Sequence, residues 1–397
     1  MFKKIFIQKL IPLVIAVFTG LYFFQDIAGQ ENEKTKDVEN EIKKIYHLAN
    51  YNQNHSVETV VSALKSENTI FLIGSSELGT EATRIAARPD LFFQKYQTPL
   101  SVVMLGHDGN QCMSVYAQFL ALNKYLKNSK ISIIVSPGWF EGHFAYGTSL
   151  DRFLEYNNES FINKIFSDNE IPGYFKDYVA EYIYEKRNDF VSPSVLYKKI
   201  ICEYKSKMNI ANRPAMYPLL RFYDLQKIPE KDLVNKKMII VYDKKHTAET
   251  FINWDSLFTE AVNYQKSIST NNNWGIYNEY FTNYVIGKAG KEEIYDIDDI
   301  VELKDFEMIL KLFKYYNADA SFIIQPINPY AYKNLKDYKP VINSIEKLIN
   351  DYNYPYINMF VYDTSDYRTG ILTDVMHFGE YGWLLADKFL IDTYEKQ

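Results

Sequence analysis

Cysteine is scarce in this chain: Cys112 and Cys202 are the only two in 397 residues. Two distant cysteines cannot form a disulfide framework, and they match no metal-binding spacing. We expect Cys112 to lie in a buried helix, where a free thiol behaves as a small hydrophobic side chain. No cluster of histidine and acidic residues has the spacing of a metal site. The sequence therefore predicts neither a metal nor another cofactor.

Long basic runs, internal repeats and low-complexity stretches are also absent. The formal net charge is −6, which argues against nucleic acid as a partner. Apolar residues make up 47% of the chain. That share is enough for a sizeable core in one large domain or two ordinary ones.

Short apolar segments that end in polar turns recur along the chain. Three come early, at Thr69–Ile73, Leu100–Leu105 and Ile131–Val135, and two come late, at Ala320–Gln325 and Ile357–Tyr362. Helical patterns separate them. This alternation is typical of an α/β fold in which a parallel sheet is flanked by helices.

The helices predicted around this sheet include Gln111–Leu126 and the closing helix Tyr381–Tyr394. The middle of the chain, about residues 141–300, is rich in helical and aromatic segments such as Phe153–Lys186. It also contains a candidate strand, Met238–Tyr242. We interpret this region as a helical insertion over the sheet.

An uncharged apolar stretch, Leu10–Phe24, is preceded by three lysines and followed by acidic residues. Extended back to Ile5, it is long enough to cross a bilayer core. The lysine bias keeps its start in the cytoplasm and places the body outside. We predict a membrane anchor over residues 1–27, a stalk over 28–50 and an extracellular catalytic domain over 51–397. A cleaved signal peptide is the alternative.

Gly74-Ser75-Ser76-Glu77 follows the first strand, where glycine permits a tight turn and a helix can open. Near the other end of the chain, Asp374 and His377 stand three positions apart. A serine early and an acid–histidine pair late is one of the orders in which a nucleophilic triad is assembled. We predict that Ser76 is the nucleophile, His377 its base and Asp374 the residue that orients the ring.

Ser76 is preferred to Ser75 because it lies nearer the following helix, where its own N–H can face a developing oxyanion. Ser75 would instead hydrogen-bond within the turn. The turn after the second strand is expected to supply the second oxyanion donor, at Gly109 with Asn110 beside it. The adjacent pair His107-Asp108 is a competing candidate, but neighbours in sequence seldom orient each other.

These segments resemble the SGNH (GDSL-like) hydrolase superfamily. The matching blocks are GSSEL after the first strand, a Gly-Asn turn after the second, SPGWF after the third and DVMHFGEYGW near the end. Together with the N-terminal apolar segment, NNNWGIYNEYF at Asn271–Phe281 and PINPYAY at Pro326–Tyr332, they most resemble the D-alanyl-lipoteichoic acid biosynthesis family, DltD. The third block departs from both patterns: the superfamily's asparagine is absent from Ser136–Phe140, and Gly138 stands where the family carries glutamine. The second oxyanion donor therefore stays open.

The resemblance implies an extracellular serine acyltransferase or esterase that handles D-alanyl esters through an acyl-serine. Lipoteichoic acid would be its substrate polymer, and its partners would be the membrane O-acyltransferase DltB and the D-alanyl carrier protein DltC. Two alternatives stay open. One is a wall-polysaccharide O-acetyl esterase or transferase of the same superfamily, and the other is a non-catalytic docking subunit of the D-alanylation machinery.

Overall fold

The computed structural model describes residues 47–48, 69–79, 86–96, 98–210 and 251–395. The predicted membrane anchor, almost all of the stalk and the candidate strand Met238–Tyr242 lie outside the described residues. Within the described ranges, no helix is both long enough and apolar enough to span a bilayer.

A six-stranded parallel sheet forms the centre of the fold, in the order β1-β3-β2-β4-β5-β6. Because the strands are parallel, their carboxyl ends all lie at one edge of the sheet. Open α/β folds bind their ligands at that edge. The strands are β1 (His47–Leu48), β2 (Thr69–Ile73), β3 (Ser101–Leu105), β4 (Lys130–Val135), β5 (Asp319–Ile324) and β6 (Tyr356–Asn358).

Helices lie between the strands and cover both faces of the sheet. A π-helical turn, Phe281–Val285, extends the short helix α8. The α-helices of the described ranges are α1 (Pro89–Lys95), α2 (Cys112–Ala121), α3 (Leu150–Tyr156), α4 (Glu159–Ser167), α5 (Gly173–Glu185), α6 (Val195–Ile210), α7 (Trp254–Ile268), α8 (Asn278–Tyr280), α9 (Val301–Tyr316), α10 (Lys339–Asp351) and α11 (Glu380–Tyr394).

Side chains of β2 alternate between two hydrophobic cores, one on each face of the sheet. Phe71 and Ile73 join the larger core, with helices α2–α6, α9 and α10. Ile70 and Leu72 join the smaller core, with α1, α7 and α11. All of β2 is buried, because a parallel sheet covered on both faces shields its central strands from water.

The predicted α/β fold, a parallel sheet between helices, is confirmed. Strand β2 has the predicted bounds, and β3, β4 and β5 begin or end within one residue of them. The predicted strand Ile357–Tyr362 is wrong in its second half, since β6 stops at Asn358. The N–H of Met359 still donates to the carbonyl of Ile324 at 3.0 Å, but Oδ1 of Asn358 accepts the N–H of Phe360 at 2.8 Å, so this next N–H is bonded locally.

The helix predicted over Phe153–Lys186 is divided into α3, α4 and α5. Asn158 caps α4, since its Oδ1 accepts the N–H of Phe161 at 3.1 Å, and Pro172 precedes α5. Helices from this middle region pack into both cores. The division of the chain into anchor, stalk and a catalytic domain with an insertion stays a prediction.

Candidate active site

The turn after β2 presents Ser76 at the carboxyl edge of the sheet, as the first residue of a 3-10 turn that ends at Gly79. The N–H of Gly74 donates to the carbonyl of Leu105 at 3.2 Å, which ties the turn to the end of β3. A Cβ on Gly74 would lie 2.2 Å from Oε1 of Glu77. Glycine at this position therefore lets the Glu77 carboxyl fold back under the serine turn.

The loop that carries His377 is organised by Asp374. Oδ1 of Asp374 accepts the N–H groups of Met376 and His377, at 2.9 Å and 2.8 Å. The N–H of Thr373 donates to the carbonyl of His377 at 2.9 Å. Short acidic side chains commonly close turns in this way. The same carboxylate thus shapes the loop and faces the imidazole.

Two buried amides after β5 hold this loop against the sheet. Nε2 of Gln325 donates to the carbonyl of Met376. The N–H of Asn328 donates to the carbonyl of Val375 at 2.9 Å, and its Nδ2 lies 3.4 Å from the carbonyl oxygen of Asp374. Buried polar groups need such partners to offset their desolvation. The sequence analysis singled out the PINPYAY segment but missed the role of these two residues.

Ser76, His377 and Asp374 form one hydrogen-bonded line. Nε2 of His377 lies 3.0 Å from Oγ of Ser76, and Nδ1 lies 2.8 Å from Oδ2 of Asp374. With Nδ1–H donating to the carboxylate, Nε2 is the acceptor for the hydroxyl proton of Ser76. The line can therefore raise the nucleophilicity of the serine. The structure brings all three predicted residues together.

Acidic neighbours raise the pKa of His377. Burial alone would lower it, but the hydrogen bond and charge of Asp374 and the charge of Glu77 outweigh burial. Burial raises the pKa of Glu77 to about 6, although the Ser75 N–H donates to its Oε1 at 2.6 Å. At neutral pH, two carboxylates therefore favour the imidazolium that forms when His377 takes a proton.

Sequence reasoning missed Glu77. A glutamate directly after a serine at the start of a helical turn is usually a solvated charge near the helix N-terminus. Here its side chain is wholly buried. The one signal in the sequence was Gly74, whose missing side chain leaves room for the carboxyl.

Two backbone N–H groups are candidates for an oxyanion. Neither the N–H of Ser76 nor that of Gly109 has a hydrogen-bond acceptor within the described part of the chain. Gly109 has a φ of +78°, and a Cβ there would lie 2.7 Å from the Arg152 side chain, so the position requires glycine. Nδ2 of Asn110 donates to the carbonyl of Gly74 at 3.0 Å. Asn110 thus supports the serine turn, and the oxyanion roles of Gly109 and Asn110 stay predictions.

His107 takes part in a different arrangement. Its Nδ1 lies 2.8 Å from Oδ1 of Asp108, and its Nε2 lies 3.3 Å from Oε1 of Glu155. The expectation that adjacent residues would not orient each other is wrong here, because Asp108 does contact the ring. Arg152 pairs with both carboxylates. Carboxylates face both ring nitrogens of His107, whereas the imidazole that contacts Ser76 is that of His377.

Another buried carboxyl, that of Glu141, lies beyond the end of β4. Glu141 follows the 3-10 turn Pro137–Phe140 and is 7% exposed. Its Oε2 has no hydrogen-bond partner within the described residues. Burial, assisted by the charge of Glu292, raises the pKa of Glu141 to about 8. A Cβ on Gly138 would lie 3.8 Å from Oε1 of Glu141, so the glycine of SPGWF leaves space beside this carboxyl.

The two cysteines are free: Cys112 is buried in α2, as predicted, and Cys202 is exposed. Across the described ranges, no group of three or more His, Cys, Asp or Glu side chains could hold a metal ion. The site is therefore described by its serine, imidazole, carboxylates and backbone N–H groups.

A serine hydroxyl, an imidazole and a carboxylate in one hydrogen-bonded line at the carboxyl edge of a parallel sheet give this α/β protein the site geometry of a serine hydrolase. The chain matches the family model described as DltD protein over residues 47–395. It belongs to the DltD protein family, as the sequence motifs predicted.

Two relatives carry the name Protein DltD. The one from Staphylococcus aureus (strain NCTC 8325 / PS 47) is 23% identical over 326 residues, which cover 80% of this chain and 78% of the relative. The one from Bacillus subtilis (strain 168) is 26% identical over 353 residues, which cover 84% of each chain. The similarity thus extends over most of the length of all three proteins.

Proposed function

We propose that this protein is an extracellular, membrane-anchored serine acyltransferase or esterase that acts on D-alanyl esters in the D-alanylation of lipoteichoic acid. The observation that carries the proposal is the line from Ser76 Oγ to His377 Nε2 (3.0 Å) and from His377 Nδ1 to Asp374 Oδ2 (2.8 Å). Membership of the DltD family supplies the substrate class.

In the first half of the reaction, Oγ of Ser76 attacks the carbonyl carbon of a D-alanyl ester while Nε2 of His377 takes its proton. Asp374 holds Nδ1–H and stabilises the imidazolium. The N–H groups of Ser76 and Gly109 are the proposed donors to the oxyanion. The tetrahedral intermediate collapses, the donor C–O bond breaks, and the departing alcohol takes the proton from His377. A D-alanyl ester of Ser76 results.

In the second half, His377 acts as a base again. It takes a proton from a polyol hydroxyl of lipoteichoic acid, whose oxygen attacks the acyl-serine, and then returns a proton to Oγ of Ser76. Water in place of the polyol would make the protein an esterase. Each half of the reaction starts and ends with neutral His377.

The proposed setting is the outer face of the cell membrane. The lysine bias before Leu10 motivates an N-terminal anchor with the body outside. In this setting the membrane O-acyltransferase DltB and the carrier protein DltC would supply activated D-alanine. Digestion of the body by protease added to intact protoplasts would support this topology, whereas full protection would contradict it.

Reaction of the full-length protein with a fluorophosphonate probe tests the chemistry. Labelling that is lost in Ser76→Ala and in His377→Ala supports an activated serine, and absence of labelling in the folded wild-type protein overturns it. Cells that lack the gene should lose D-alanine from their teichoic acid, and Ser76→Ala should fail to restore it. Restoration by Ser76→Ala would favour a non-catalytic docking subunit. Loss of acetyl groups instead of D-alanine would favour an O-acetyl esterase or transferase.

A further inference from the structure

A cavity of about 550 Å³ opens beside the proposed active site, where the segments that follow β5 and β6 meet. We call it the lysine groove. Three exposed lysines line it, Lys291, Lys333 and Lys336, and Tyr332 contributes an aromatic wall. Within the described ranges, none of the three ammonium groups lies within ion-pair distance of a carboxylate. Their charges are available to a ligand.

The carboxylates in the groove are already engaged by protein donors. Oδ2 of Asp337 accepts Nδ2 of Asn334 at 3.1 Å. Oδ1 of Asp363 accepts the N–H of Ser365 at 3.0 Å. This bond, assisted by the charge of Lys336, lowers the pKa of Asp363. In the groove, three lysine ammonium groups thus lie near two carboxylates that already accept hydrogen bonds from the protein. The chain as a whole has a net charge of −6.

The groove and the proposed active site share one edge of the sheet. Ser76 follows β2, and the groove, apart from Lys291 on the segment before α9, is built from residues that follow β5 and β6, two and three strands away. At about 4.8 Å per strand, that separation is roughly 10–15 Å. Asn328, which holds the His377 loop, immediately precedes Pro329 of the groove wall. Burial raises the pKa of Tyr332, and the charges of Glu141, Glu292 and Asp374 raise it further, so the aromatic wall of the groove lies within electrostatic range of Asp374.

We propose that the lysine groove binds phosphodiester groups of the acceptor polymer while a neighbouring polyol unit presents its hydroxyl at Ser76. The proposal rests on the proposed function, and it assigns a binding site to the acceptor polymer of that reaction. Lysine ammonium groups are flexible point charges that bind phosphate without fixing one geometry. Such groups suit a repeating, flexible polyanion. A groove that is open to solvent at this edge of the sheet also suits an extended chain better than a compact anion.

The test uses the full-length protein and a defined oligomer of glycerol phosphate as the probe. One variant carries Lys291→Ala, Lys333→Ala and Lys336→Ala. A matched control removes three other exposed lysines, Lys127, Lys266 and Lys314, for which no ion pair is seen within the described residues. Lys127 precedes β4 and Lys314 lies at the end of α9, so both are near the opposite edge of the sheet.

We expect the groove variant to bind the oligomer at least about tenfold more weakly at low salt, as the loss of three exposed charge contacts would give. Its binding should also depend less on salt concentration than that of the wild type. The matched control should bind like the wild type. Fluorophosphonate labelling of Ser76 should be equal in all three proteins.

Equal binding by the wild type and the groove variant would overturn the proposal. An equal loss in both triple variants would do so too, because it would show an effect of overall charge. Lysine-dependent binding to phosphatidylglycerol vesicles, without lysine-dependent binding to the oligomer, would assign the groove to the membrane surface instead. Failure of the acyl-serine chemistry would appear separately, as lost labelling of wild-type Ser76 with oligomer binding intact.

Discussion

Glu77 reaches past Ser76, its neighbour in the sequence, and accepts the N–H of Ser75 at 2.6 Å. The carboxyl thereby lies at the turn that presents the hydroxyl. Its negative charge raises the pKa of His377. The residue that follows the proposed nucleophile thus acts on the backbone of the turn and on the basicity of the imidazole.

Ser76 and Ser75 should differ sharply on substitution. Ser76→Ala should lower the rate of ester cleavage by about 10⁴–10⁶-fold, the range seen when a triad nucleophile is removed. Ser75→Ala should cost roughly tenfold, as expected for a lost positioning interaction of about 1 kcal/mol. Steady-state kinetics measure both, and mass spectrometry of probe-labelled peptides locates the adduct. An adduct on Ser75 would contradict the assignment.

Substitution of His377 and of His107 should affect activity to very different extents. His377→Ala should abolish activity, because it removes the imidazole that lies 3.0 Å from Oγ of Ser76, and should leave the thermal midpoint within a few degrees. His107→Ala removes a ring that pairs with Asp108 and Glu155 and should leave most of the activity. Rates and melting curves of the two variants provide the measurement. The reverse ranking of activities would refute the role of His377.

Glu77→Gln should shift the pH profile of kcat/KM. With neutral His377 as the proposed base, activity should rise with pH through the pKa of this residue, which lies above its usual value. Removal of the negative charge makes the imidazolium less stable and lowers that pKa, so the acid limb should move to lower pH. The plateau should fall by about tenfold, because the imidazolium loses stabilisation in the transition state.

Glu77→Ala is the control that distinguishes an electrostatic role of Glu77 from a merely structural one. Glutamine can still accept the Ser75 N–H through its Oε1, whereas Glu77→Ala cannot. The alanine variant should therefore melt earlier than the glutamine variant, and both should show the displaced acid limb. An acid limb that stays in place in Glu77→Gln, with only a lower melting temperature, would reduce Glu77 to a packing residue.

Glu141→Gln should stabilise the protein at alkaline pH. The folded pKa of Glu141, about 8, lies above its unfolded value of 4.5, so the folded state holds the proton more tightly. Stability is therefore full below about pH 4.5 and declines as the pH rises towards 8. Melting curves at pH 5 and pH 9 should show little difference between the proteins at pH 5 and a higher midpoint for Glu141→Gln at pH 9. Equal midpoints at pH 9 would show that the carboxyl is solvated.

Much of the scaffold was predictable because its signals are local. In Thr69–Ile73 a β-branched threonine is followed by four apolar residues, and the polar residues after Ile73 mark the end of the run, so β2 could be placed to the residue. Ile357–Tyr362 is also mostly apolar, but the side chain of Asn358 bonds the backbone two residues on, and β6 ends early. An asparagine in an apolar run can lie within a strand or in a turn that ends the strand. Only the surrounding fold decides between these two conformations.

The candidate site was predictable where chemistry restricts residue types, as for the serine, the histidine and the acid. Its supports were not, because they act over long sequence separations. Gln325 reaches Met376 across 51 positions, and Asn110 reaches Gly74 across 36. Amide side chains are common, and nothing in their neighbourhood in the sequence distinguishes a buried brace from a surface residue. Glu77 was missed for the opposite reason, since its local pattern favoured exposure.

The hydroxyl and the base of the site come from opposite ends of the chain. Ser76 and His377 are separated by 301 positions, and every strand of the sheet precedes His377. During synthesis the serine leaves the ribosome long before its base and its acid exist. For almost the whole of translation, the hydroxyl of Ser76 therefore has no imidazole beside it. On the proposed mechanism, reactivity towards esters begins only after the segment that carries Asp374 and His377 has been made and has folded against the turn after β2.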